Sequence, residues 1–445
     1  MTNLTFYGGV NEIGGNKVLL EDRGVRLFLD FGQSFIFGER FFVEWLTARE
    51  RFGLRDYFAL NLVPKIKGLY SKEVLQSTDF EYSEPEFHGV FLSHIHFDHL
   101  GHIRFLDEGI PLYLGATTKR MLDSWEMTGR QGFGEHDYRT FRTGDKIKID
   151  SIEIEPIHVD HSAPAAYGFI IHTSDKTLAY TGDLRLHGTH AKLSRDFVEK
   201  VKNEKPDIMI CEGTRVAPAD KRENLSEQGV FDRSDRIIAN TKKLVTTCFY
   251  GRDIDRMKTF HKLAEKSGRK FVVSTKTAHL LKCLVDDPRI EVPDPTNDEN
   301  MLIYARKMDR RDKWEKEFLD LDASVDAEYV RSHQSELILH MNFTHFAELI
   351  DIKPERGSIF IHSMSEPFEE DDIEDEVKHN WLEYFGLDYH QAHASGHCAK
   401  DEIFNVVKEI NPKKIFPVHT EHPELFVSEF GNIVEPPMLN RRLDC

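Results

Sequence analysis

Apolar positions open the chain in short runs separated by turn residues. Leu4-Thr5-Phe6-Tyr7-Gly8, Lys17-Val18-Leu19-Leu20-Glu21 and Val25-Arg26-Leu27-Phe28-Leu29-Asp30 are β-rich, and Asp22-Arg23-Gly24 separates the last two. Runs of this kind predict consecutive hairpins at a sheet edge. An aromatic-rich insertion, 33–87, follows, in which Phe42, Trp45, Leu46 and Arg49 have helical spacing. The expectation is a helical excursion packed on the sheet, with a lid over a site as the alternative. From about Asp232 to Met364 the period changes: Ile254-Met257-Phe260-Leu263 repeats every three positions, and β-rich Phe271-Val272-Val273 and Ser358-Ile359-Phe360-Ile361 alternate with such segments. Alternation of helix and strand predicts a parallel sheet flanked by helices, hence a second α/β lobe. An amphipathic helix near Ala399 to Ile410 and a strand at Lys414-Ile415-Phe416-Pro417-Val418 then close the pattern.

Length and composition fit that reading. A chain of 445 residues exceeds what one hydrophobic core usually serves. With 40% hydrophobic and 30% charged residues it reads as soluble and globular. No apolar run approaches the roughly 18 residues of a membrane span, and the first residues lack the basic and apolar regions of a secretory signal. The five cysteines lie far apart without CxxC spacing, so free thiols and a cytoplasmic location are expected. The formal charge of -18 weighs against long-range attraction to polyanions. Much of that excess is concentrated between Glu366 and Glu376, which reads as a solvated loop and leaves room for a local basic groove elsewhere.

Candidate chemistry centres on Ser93-His94-Ile95-His96-Phe97-Asp98-His99, between the β-rich Val90-Phe91-Leu92 and a helix-like segment that stops near Gly109. Residues two apart on an extended chain point the same way, so His94 and His96 can grip one cation. As the chain turns into the helix, Asp98 and His99 swing towards a second position. Imidazole and carboxylate donors suit borderline cations such as zinc. A further histidine comes from Asp160-His161-Ser162, after the strand Ile152-Glu153-Ile154-Glu155; His161 is preferred over its rival His158. Ala179-Tyr180-Thr181-Gly182-Asp183 is a strand ending in a turn, where Asp183 can bridge two ions.

The succession from HxHxDH through His161 and Asp183 resembles the metallo-β-lactamase superfamily. Gly8-Gly9-Val10-Asn11-Glu12-Ile13-Gly14-Gly15, Cys211-Glu212-Gly213-Thr214-Arg215, Ser395-Gly396-His397 and Pro417-Val418-His419 narrow the likeness to β-CASP nucleases similar to ribonuclease J. The resemblance implies an αββα sandwich carrying an inserted α/β domain: 1–212 and 385–445 form the sandwich, and 213–384 the β-CASP insertion. It also implies two zinc ions, one held by His94, His96 and His161, the other by Asp98, His99 and His419, with Asp183 shared.

The activity implied is phosphodiester hydrolysis, with RNA the expected substrate and DNA or a small ester the alternatives. Two cations roughly 3.5–4 Å apart can acidify a bridging water and clamp a phosphoryl oxygen. Asp98, His397 and Glu212 are then the candidate catalytic residues, His397 as the acid that protonates the leaving oxygen and Glu212 as its hydrogen-bond partner. His393, Ser363 and Ser365 are further candidates for binding substrate phosphates. His102 stands where ribonuclease J-like proteins usually carry glycine, and Ser365-Glu366-Pro367-Phe368 replaces a glycine-containing loop. No separate C-terminal domain follows Asn432-Ile433-Val434, so processive exonuclease action and family-type dimerisation are not carried over.

Overall fold

The computed structural model describes residues 1–445 apart from 44, 130, 131, 221 and 366–371 and the side chain of residue 39. Two sheets face each other. The first runs in the order Arg442–Asp444, Thr2–Gly8, Lys17–Asp22, Val25–Leu29, Gly89–Phe91, Leu112–Gly115, Tyr138–Phe141. Its first three sequential strands are antiparallel, as their hairpin turns require, and the next three pair in parallel. The second runs Lys414–Val418, Ile208–Glu212, Thr177–Tyr180, Ala166–His172, Ile152–Val159, Ile147–Ile149. Leu4, Phe6, Leu27 and Phe91 of the first sheet interdigitate with Ile154, Phe169, Ile210 and Phe416 of the second. Helix Ala191–Glu204 and helix Lys400–Ile410 cover the outer face of the second sheet through Phe197, Val201, Ile403 and Val407. This is the αββα sandwich.

A third sheet, Ser324–Val325, Met301–Tyr304, Lys270–Ser274, Leu337–His340, Val245–Cys248, Ser358–His362, Leu387–Gln391, is parallel throughout. Helices such as Ile254–Ser267 and Thr275–Val285 connect its strands, as parallel pairing demands. Its last strand extends to Gln391, so the inserted sheet reaches past residue 384, where the sequence placed the return to the sandwich. One apolar core runs unbroken from Phe28 and Leu100 of the sandwich to Phe249, Met257 and Ile361 of the insertion.

The insertion 33–87 packs into that core through Leu54, Tyr57, Phe58 and Tyr70. It is not helical where the spacing of Phe42, Trp45, Leu46 and Arg49 predicted. Val43 and Leu46 instead exchange backbone hydrogen bonds of 3.0 and 2.7 Å across a tight turn, and Trp45 is 84% exposed. The spacing reflected a sharp reversal, not a buried helical face. Short helices occur later in the insertion, at Arg55–Ala59 and Lys72–Leu75. The segment after the histidine motif is likewise shorter than expected, a single turn at Phe97–Leu100 followed by a 3-10 turn at Ile103–Phe105.

Of the acidic run, residues 366–371 lie outside the described residues. The remainder is not a loop: Asp372 caps helix Ile373–Phe385, accepting from the Asp375 amide at 3.0 Å, and Glu374, Asp375 and Glu376 occupy its first turn. Carboxylates there complement the partial positive charge of the helix start.

Candidate active site

Parallel pairing sets the site. Thr177–Tyr180, Ile208–Glu212 and Lys414–Val418 run side by side, so Asp183, Glu212 and His419 emerge from the same edge of one sheet. Val25–Leu29 and Gly89–Phe91 do the same in the facing sheet and present Asp30 and the His94 segment. Ligands gather at the carboxyl ends of such strands because the loops there converge.

Backbone geometry fixes the donors. Gly182 has a φ of +53° and turns the chain so that Asp183 faces the histidines; a side chain at 182 would come 2.6 Å from the Tyr167 carbonyl oxygen. Gly32 lies under the motif, and a Cβ there would stand 1.6 Å from the Asp98 carbonyl oxygen. Gly32→Ala should therefore displace the motif backbone, destabilise the protein by about 1–3 kcal/mol and lower its metal content. Denaturant unfolding and metal analysis of the purified variant check this; wild-type values for both would contradict it.

The structure brings the predicted donors into two adjoining clusters, His94, His96 and His161 in one, and Asp98, His99, Asp183 and His419 in the other. In each cluster the donor atoms lie within 4.8 Å of one another. His96 Nδ1 is 3.0 Å from both His94 Nε2 and His161 Nε2. Asp183 Oδ2 stands 3.6 Å from His94 Nε2, 3.0 Å from His99 Nε2, 3.8 Å from His419 Nε2 and 3.9 Å from His397 Nδ1. The rival His158 lies outside both clusters, its ring stacked on Tyr167 at 5.3 Å.

These residues fit divalent cations on three observations. One ring nitrogen, His96 Nδ1, serves two others, an arrangement that a shared cation satisfies better than a proton. Asp183 Oδ1 is buried without a hydrogen-bond partner, and His99 Nε2 approaches Asp183 without hydrogen-bond geometry. Electrostatics agrees. Burial drives His94 and His161 well below the usual imidazole range and His96 down to about 4, leaving neutral rings with lone pairs to donate. Asp98 and Asp183 stay ionised although burial opposes it, because His99 and His419 outweigh that effect. Three imidazoles, beside two carboxylates and two imidazoles, are a donor set suited to borderline divalent cations.

A layer of supporting groups surrounds the donors. Asp30, fully buried, accepts from His99 Nδ1 at 2.8 Å, the Tyr180 hydroxyl at 2.6 Å, and the amide and hydroxyl of Ser93 at 2.7 and 2.8 Å. His161 Nδ1 donates to the Gly396 carbonyl at 2.6 Å, which leaves Nε2 as the donor to a metal. Thr214 Oγ1 lies 2.8 Å from His419 Nδ1 and donates to Glu212 at 2.6 Å. Asp30 and Thr214 escaped sequence reasoning. The one available signal was a carboxylate closing the apolar run Leu27-Phe28-Leu29, where burial demands a partner.

His397 and Glu212 meet as expected, with Nδ1 3.3 Å from Oε1. Glu212 is 2% exposed and accepts three further hydrogen bonds, from the Leu184 amide and from the amide and hydroxyl of Thr214. Ser363 does not line a phosphate site: it is buried, accepts from Arg256 and donates to the Ala392 carbonyl. His393 also turns towards Arg256 and the Ser363 carbonyl, whereas Ser365 is exposed on a cavity wall. His102 is a packing residue beneath the motif, 1% exposed, set edge-on to Tyr57.

Beneath these loops a buried ion cluster joins the two domains. Arg185 bonds Asp160, Glu227 and Asp255, and Arg256 bonds Glu227 and the carbonyls of Ser363 and Ala394. Burial pushes Asp253 up to about 7, against the pull of Arg256 and with Glu227 adding to the rise. The folded protein thus retains a proton that the unfolded chain has released, a stabilisation complete below about pH 4 and lost as pH climbs through 7. Asparagine keeps the oxygen that caps helix Ile254–Ser267, where Asp253 accepts from the Arg256 amide at 2.9 Å. Asp253→Asn should therefore melt about 2–4 °C above wild type at pH 8, with a smaller gap at pH 5. Equal gaps at both pH values would contradict the sign.

A two-sheet sandwich with this histidine and aspartate edge defines a metallo-hydrolase of the metallo-β-lactamase superfamily. Residues 71–238 match the family described as the beta-lactamase superfamily domain, and residues 388–426 the Zn-dependent metallo-hydrolase RNA specificity domain. With its inserted third sheet, the chain belongs to the β-CASP branch of that superfamily. Among its relatives, Ribonuclease J of Pyrococcus abyssi is 21% identical over 98% of both chains. Ribonuclease J of Helicobacter pylori (strain ATCC 700392 / 26695) is 22% identical over 94% of this chain, which spans only 56% of that relative. A solved structure from Enterococcus faecalis V583, titled a protein of unknown function, superposes with a TM-score of 0.80 over 99% of both chains at 24% identity. No helix among the described residues is long and apolar enough to cross a membrane.

Proposed function

We propose that this chain is a metal-dependent ribonuclease that hydrolyses phosphodiester bonds with two zinc ions. The observation that carries the reading is the pair of adjoining donor clusters, with Asp183 of one 3.6 Å from His94 of the other, in a chain whose residues 388–426 match an RNA specificity domain. His94, His96 and His161 would hold one ion, and Asp98, His99 and His419 the other, with Asp183 between them. Bound there, the cations supply Lewis-acid charge at the scissile phosphoryl group and acidify water.

The chain's own side chains do the rest. His397 presents Nδ1 to Glu212, so Nε2 is the nitrogen that gives a proton to the leaving oxygen. Glu212, buried and saturated with hydrogen bonds, is a positioning residue: it orients His397 directly and His419 through Thr214. The five free cysteines accord with a cytoplasmic setting.

The test is cleavage of end-labelled single-stranded RNA and DNA by zinc-loaded protein. Cutting of RNA, with a fragment ladder that distinguishes internal from terminal cleavage, is the expected result. The charge of -18 favours a second reading, a hydrolase of small phosphodiesters or other esters. Turnover of a chromogenic diester with neither polymer cut would install that reading instead.

A further inference from the structure

Between helix Ala116–Thr128 of the sandwich and the strand ends of the inserted domain lies a cavity of about 520 Å³. Three of its lining residues, Trp125, Arg252 and Tyr250, form a run of planar side chains whose ends contact the histidine motif. Phe97, inside the histidine motif, lies 6.0 Å from Trp125. The guanidinium of Arg252 covers the Trp125 ring at 3.3 Å. Arg252 Nη1 donates to the Tyr250 hydroxyl at 2.8 Å. The Tyr250 ring returns to the metal site, edge-on to His96 at 5.2 Å. This run crosses from one domain to the other and touches the histidine motif through Phe97 and His96, which lie behind the cavity lining.

Arg252 is the unusual member. It is half-buried and forms no ion pair among the described residues. Arg185, Arg215, Arg233 and Arg256, by contrast, all meet carboxylates. Exposed Lys276 stands on the same cavity, whose lining also carries Lys378, paired with Asp375, the carboxylates of Asp372 and Glu374, and the hydroxyls of Ser124, Thr128 and Ser274. Trp125 occupies one face of the guanidinium and Tyr250 one of its N–H groups, so the remaining in-plane donors are pre-oriented. A weakly hydrated, planar fork held in this way matches two oxygens of a phosphodiester.

We propose that Arg252, held on Trp125 and Tyr250, is a specificity-determining residue that grips the backbone phosphate neighbouring the scissile bond of a single-stranded nucleic acid. The inference rests on the nuclease reading above. The cavity as a whole is not basic, since Asp372, Glu374 and Asp375 line it beside Lys276 and Lys378, so the contact rests on the geometry of the one guanidinium. Trp125 acts through Arg252 and is a positioning residue.

The experiment measures binding of a fluorescent single-stranded RNA to zinc-loaded wild type, Arg252→Ala, Arg252→Lys and Trp125→Leu between 50 and 300 mM salt, alongside cleavage. Metal content and melting temperature serve as folding controls. Arg252→Ala should weaken binding roughly 10- to 50-fold and reduce the logarithmic salt slope by about 0.7, the value for one phosphate contact on a single strand. Arg252→Lys should restore the slope but only part of the affinity, because an ammonium keeps the charge and loses the fork. Trp125→Leu should weaken binding with its slope intact. Unchanged affinity and slope in Arg252→Ala, or no RNA binding by wild type, overturns the proposal. Binding that follows the expected pattern without any RNA cleavage would instead remove the nuclease reading and leave Arg252 as a phosphate contact.

Discussion

Asp183→Asn should lower RNA cleavage by roughly a thousandfold or more and reduce bound zinc below two ions per chain. The carboxylate oxygen Oδ2 lies within 4 Å of four imidazoles, those of His94, His99, His397 and His419. An amide keeps the shape but removes the negative charge, so two cations would then face each other without the anion between them. Metal emission spectroscopy on the purified variant, together with cleavage of labelled RNA, measures both effects. Two zinc ions retained with full turnover would remove Asp183 from the bridging position.

His397→Ala separates proton transfer from metal binding. His397 stands 3.9 Å from Asp183 but is 20% exposed, against 1% for Asp183 and His419. Its loss should lower kcat roughly 10²- to 10⁴-fold, the usual scale for general acid–base catalysis, with metal content unchanged. An aryl phosphodiester, whose leaving group departs without a proton, should lose far less. A uniform loss on both substrates would mean that His397 holds the site together and does not donate a proton.

The local pattern of the chain carried much of this architecture. Val418 and His419 illustrate why: a five-residue strand, Lys414–Val418, stands out through its apolar run, and the residue that follows must sit at a sheet edge. His94 and His96 were legible because strand geometry alone places alternate residues on one side. What the sequence hid depends on distance in the chain. Asp30 meets His99 from the neighbouring strand, 69 positions away in the chain, and Glu227 joins Arg185 to Arg256 across a domain boundary; neither has a local period. The turn at Val43 to Leu46 misled for the opposite reason, since apolar spacing within a few residues matches a helix whether or not the backbone closes one. Ser363 looked available to substrate until Arg256, more than a hundred positions earlier, took its hydroxyl.

The division of the sandwich around its insertion also sets the order of events in assembly. Six of the seven proposed metal donors lie at or before Asp183, whereas His397 and His419 are separated from them by the whole inserted domain. At a synthesis rate of 5–20 residues per second, the roughly two hundred intervening residues take about 10–40 s to make. Until then the chain offers six of the proposed donors, four histidines and two aspartates, without the proposed acid. Strand Lys414–Val418 must then dock against Ile208–Glu212, bringing His419 to Asp98 at 2.9 Å and His397 to Glu212. On the proposed reading the donor set and its acid are complete only after every strand of the third sheet has been synthesised.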